Sequence, residues 1–179
     1  MYYFFEQLLL AFAEILGSLF SQPSIWWLLA PLIFFWLVLE FYFGTYKTEQ
    51  LGWNTALGNG MSLVWVSVDS MRFLWENPPV NFLFRFLIIL SFLFYGSFII
   101  YISFAHKFSS KLTYILASPS PIYFFSCVVV LWGHGILKLT WWVFIDLMIS
   151  YCLLLFFVWL LRKFLPGAKK SGSLDKSVV

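Results

Sequence analysis

The sequence predicts an all-α, polytopic integral membrane protein: a helical bundle with five or six transmembrane helices and one short interfacial helix. Three observations carry that expectation. Hydrophobic residues make up 62% of 179 positions and charged residues 11%, more apolar surface than a soluble domain of this size could hide from water. The apolar residues fall into runs of about membrane-spanning length, joined by short polar segments. The net charge of +3 sits mostly at run ends and in the C-terminal tail, where it orients a chain in the bilayer. This distribution excludes nucleic acid as a partner and makes the lipid bilayer the principal one.

The first run, 2–20, carries Glu6, Gln7 and Glu14. It either crosses the membrane or lies at its surface, and association with the bundle is favoured because interfacial helices normally show Lys or Arg on the polar face. Gln22-Pro23-Ser24 breaks it. The run 25–43 is the clearest span, with a kink expected at Pro31, which lacks the amide hydrogen for a bond one turn back. After a polar joint containing Lys47 and Glu49, the second span, 53–75, is much more polar than its neighbours. Asn77-Pro78-Pro79 ends it.

A Phe-rich span covers 82–105, with Arg85 near its start and His106 and Lys107 at its end. In 108–117, Phe108, Leu112, Ile115 and Leu116 share a face opposite Ser109, Lys111 and Thr113, as in an interfacial helix. Ser118-Pro119-Ser120-Pro121 stops it. The next run has only about 11 apolar residues before Gly133-His134-Gly135, and is read as a glycine-broken span reaching Leu139 rather than a re-entrant half-helix. The last span is 141–161. The domains are thus a transmembrane unit, 1–164, and a disordered basic tail, 165–179, containing Lys169, Lys170 and Lys176. With that tail cytoplasmic, Lys47, Lys107 and Lys111 also fall inside and the positive-inside rule is met. The ten tryptophans gather toward run ends as headgroup anchors.

Within the second span, Thr55, Asn59, Ser62, Asp69 and Glu76 fall on one helical stripe. Such a stripe avoids lipid, so it either walls a water-filled path or hydrogen-bonds to neighbouring helices. A second stripe, Ala56, Gly60, Ser67 and Ser70, is small and admits close packing by another helix. Asp69, Arg72, Arg85 and Asp146 share one depth when each helix is given a rise of about 1.5 Å per residue. They form either a charge cluster locking three helices or the vestibule of a cation or proton path. His134 reaches the same depth.

No cofactor is expected. The second histidine, His106, lies at the opposite end of its span, which disfavours bis-histidine haem ligation, and no helix pairs metal ligands at three- or four-residue spacing. Cys127 and Cys152 sit in apolar runs as small hydrophobes. Nothing resembles a nucleophile elbow or catalytic triad. The expected function is an oligomeric channel or transporter-like protein whose path is lined by Asn59, Ser62, Asp69, Asp146 and His134, with Arg72 and Arg85 as the charge cluster. The small stripe offers a surface to a second copy or to other membrane subunits. The alternative is a non-catalytic structural or assembly subunit of a membrane complex, and a lipid-acting membrane enzyme ranks third.

Overall fold

The computed structural model describes residues 2–46, 52–106 and 108–165, and every regular element among them is helical. In chain order these are α1 (Tyr2–Ser21), a 3-10 turn (Pro23–Ile25), α2 (Trp26–Thr45), α3 (Trp53–Glu76), α4 (Phe82–Ala105), α5 (Ser110–Leu116), α6 (Pro119–Gly133) and α7 (Trp141–Phe164). The basic tail, Lys47, Glu49 and Lys107 lie outside the described residues.

Five segments are long and apolar enough to cross a membrane, and they make the chain a polytopic membrane protein: α1, the turn with α2, α4, α5 with α6, and α7. These are not the five firm spans of the sequence reading. The first run qualifies by length and composition, whereas α3, at 24 residues, is long enough but too polar. Packing explains how so polar a helix is accommodated: α3 lies against α4 and α6 and buries Ala56, Asn59, Gly60, Leu63, Val66, Ser67, Ser70 and Leu74.

The helices alternate in direction. At one end, the Arg162 end, Trp53 of α3 stacks edge-on with His106, which follows α4, and Glu40 of α2 meets Arg162 of α7. At the other, the His134 end, Trp75 meets Phe82 and Phe73 meets His134. α1 belongs to the His134 end of α7: Phe4 packs on Trp142 at 5.4 Å, and Glu14 accepts from the Lys138 amide at 3.2 Å.

α3 and α4 cross at two glycines. A Cβ on Gly60 would come within 3.0 Å of the Gly96 carbonyl oxygen, and one on Gly96 within 3.0 Å of the Gly60 carbonyl oxygen. Ser70 makes the corresponding approach to Gly133 on α6, where a Cβ would lie 2.8 Å from that of the serine. The small stripe is therefore occupied by the chain's own helices.

α2 continues as one helix through Pro31. Two local expectations change. α6 ends at Gly133 and does not resume: Gly135 takes a left-handed φ of 71°, and the chain to Thr140 is non-helical, so the glycines terminate the span instead of interrupting it. On α5, Thr113 is buried while Leu112 and Ile115 are exposed. The apolar face points outward because the medium around a membrane bundle is itself apolar.

Candidate functional site

The ion pairs among the described residues lie at the two ends of the bundle. At the His134 end, the last turn of α6 must dispose of carbonyls that have no intrahelical partner. The amides of His134, Gly135, Ile136 and Leu137 take the Val130, Leu131 and Trp132 carbonyls, and Arg85 of α4 adds one more donor: its Nη1 gives a hydrogen bond to the Trp132 carbonyl at 3.3 Å, and its guanidinium carbon stands 5.9 Å from the Trp132 ring centroid. A cation at a helix C-terminus is favoured by the dipole. Arg85 makes no ion pair among the described residues, and its Nε is buried without a partner. Gly135 gives it room, since a Cβ there would lie 3.1 Å from Nη1.

Beside it, Asp69 Oδ1 accepts from Arg72 Nη2 at 3.0 Å, and Asp69 Oδ2 faces His134 Nε2 at 3.6 Å. The Arg72 side chain is 65% exposed and also reaches Glu76 at 3.5 Å. His134 Nδ1 lies 2.9 Å from the Val130 carbonyl, which can only accept, so that nitrogen carries the hydrogen in either charge state. The Nε2 contact with Asp69 is then attractive only when a second proton sits on the imidazole or on the carboxyl.

The predicted charged layer thus comes together in part. Asp69, Arg72 and His134 form one group and Arg85 adjoins it through Trp132, but Asp146 stands apart. It lies on α7, which packs against α1, α2 and α6, and it is buried with Oδ2 lacking a hydrogen-bond partner among the described residues. Equal depth does not fix position around the bundle, and α7 is not among the helices that pack closely on α3 or α4. Among the described residues Arg85 meets the end of α6 and not an acid.

Of the long stripe of α3, Asn59 is buried against the chain's own helices, Thr55, Ser62 and Asp69 are half-buried, and Glu76 is exposed. Asn59, 1% exposed, donates from Nδ2 to the Ala117 carbonyl at 2.8 Å, where the backbone is interrupted between α5 and α6. Ser62 donates to Gly58 O at 3.0 Å and edges a largely apolar cleft of about 390 Å³ between α2 and α3, lined also by Pro31, Phe35 and Trp65. None of these contacts requires water.

The Arg162 end holds the group that sequence reasoning missed. Glu40, in the most apolar early span, is 1% exposed and bridges three helices. Its Oε2 accepts from Arg162 Nη2 at 2.6 Å and Nε at 3.1 Å, and its Oε1 accepts from Ser120 Oγ at 2.6 Å. Gly44, one turn on, allows the approach: a Cβ there would meet the Leu165 side chain at 2.5 Å. A lone acid inside an apolar span demands a cation at its own depth, and Arg162, at the same end of the last span, was the available signal.

His106 and His134 contact Trp53 and Phe73, twenty positions apart on α3, or about 30 Å of helix. No group of three metal-ligating side chains occurs among the described residues. No family model, curated protein or solved structure matches the chain.

Proposed function

We propose that this protein is a non-catalytic structural subunit of a membrane complex, in which the intramembrane polar residues lock helices together. The observation that carries the reading is the burial of Asn59, on the polar stripe of α3, against the Ala117 carbonyl, with Ser70 of the neighbouring small stripe packed on Gly133 of α6. A path along that face would have to break the Asn59 hydrogen bond to Ala117, worth about 1 kcal/mol in a membrane bundle.

The rival is a conducting protein in which Asp69 and His134 bind cations or protons. Their mutual contact favours it, since one proton governs the sign of the interaction. The two readings part on Asp69→Asn in reconstituted vesicles. For a structural subunit, wild type and variant both show cation and proton flux no greater than empty vesicles, and the variant is nearly as stable as the wild type because its Arg72 partner is largely exposed. Flux through the wild type that Asp69→Asn abolishes, with stability unchanged, would overturn the structural reading.

A further inference from the structure

At the Arg162 end, α5, α6 and α7 border an open cleft of about 970 Å³ whose lining divides by chemistry. Lys111 and Arg162 supply cationic donors, Ser118 and Ser120 mark the start of α6, and Tyr151, Leu155 and Val158 form an apolar wall on α7. Glu40 fixes the guanidinium by taking Nε and Nη2, which leaves Nη1 without a partner among the described residues. Because Glu40 also cancels the charge of Arg162, the net positive charge of the cleft comes from Lys111. That side chain is exposed and makes no ion pair among the described residues.

We propose that this cleft binds an anionic glycerophospholipid of the surrounding leaflet, its phosphate between Lys111 and Arg162 and an acyl chain along Tyr151, Leu155 and Val158. A soluble anion would satisfy the bases but leave the apolar wall uncovered, whereas a lipid covers both. A zwitterionic headgroup gains less, because the carboxylate nearest its cationic end, Glu40, is buried and already engaged. Basic pockets between transmembrane helices bind anionic lipid headgroups.

The test is lipid retention by the purified full-length chain, measured by native mass spectrometry with phosphatidylglycerol and phosphatidylcholine of identical acyl chains. Wild type should retain phosphatidylglycerol in preference by roughly fivefold, the expected contribution of one basic residue near a membrane surface. Lys111→Gln should bring the ratio near unity without lowering the melting temperature, and Lys111→Arg should preserve it. Leu155→Trp, which intrudes on the wall, should reduce retention of both lipids. Equal retention by the wild type, or an unchanged ratio in Lys111→Gln, would overturn the proposal. So would displacement of phosphatidylglycerol by millimolar inorganic phosphate, which would mark the cleft as a site for soluble anions.

Discussion

Arg162→Leu is expected to destabilise the bundle by about 3 kcal/mol, because it strands a buried carboxylate among three helices. Glu40 has one cation within ion-pair distance among the described residues, and its side chain is 1% exposed while that of Arg162 is 44% exposed. That difference predicts an asymmetry. Glu40→Leu should cost less, roughly 1 kcal/mol, since the freed guanidinium can extend toward the headgroups as long basic side chains near helix ends do. The double variant Glu40→Leu/Arg162→Leu should then recover most of what Arg162→Leu loses, with Ser120 the one group left seeking an acceptor. Equilibrium unfolding of the four proteins in mixed micelles gives the cycle. Additive losses would show that the two residues do not stabilise the fold through each other.

The second large effect is expected at the glycine crossing of α3 and α4. Gly96→Leu places a branched side chain where a Cβ alone would lie 2.9 Å from Val64 Cγ2 and 3.0 Å from the Gly60 carbonyl. One of those neighbours is backbone and cannot turn aside, so the helices must separate. A loss of about 2–3 kcal/mol follows, at the upper end for overpacking. Gly96→Ala should cost less but still be measurable, and Gly17→Ala, on α1 with nothing within 4 Å of the added carbon, should be tolerated. Equal stabilities for Gly96→Leu and Gly17→Ala would show that α3 and α4 are not in close contact.

The helical membrane class was legible because it follows from composition and run length, which depend on no tertiary contact. The polarity of 53–75 was legible too, and so was the small stripe beside it. What covers those faces was not, because a stripe read along one helix names no neighbour: Gly60 meets Gly96 of α4, and Ser70 meets Gly133 of α6. The charged layer rests on depth alone, which sets Asp69, His134 and Asp146 at one level but says nothing of which helices pack together, and α7 is not packed closely on α3. Glu40 was overlooked for the opposite reason. Its span is so apolar that the acid did not alter the reading, although an isolated carboxylate there carries a large desolvation cost and must be compensated. Arg162, one of the charges at the run ends, supplies the compensation.

Whether the α3 stripe meets protein or water is most directly measured by thiol accessibility at position 59, with Cys127 and Cys152 first replaced by alanine. If Asn59 is closed off by the turn between α5 and α6, Asn59→Cys in the folded protein should resist a membrane-impermeant methanethiosulfonate reagent and react only after denaturation. Asn77→Cys, exposed just beyond the end of α3, should react readily in the same background. Modification of Asn59→Cys at a rate comparable to Asn77→Cys would place water along the stripe and contradict a bundle held together by its polar residues.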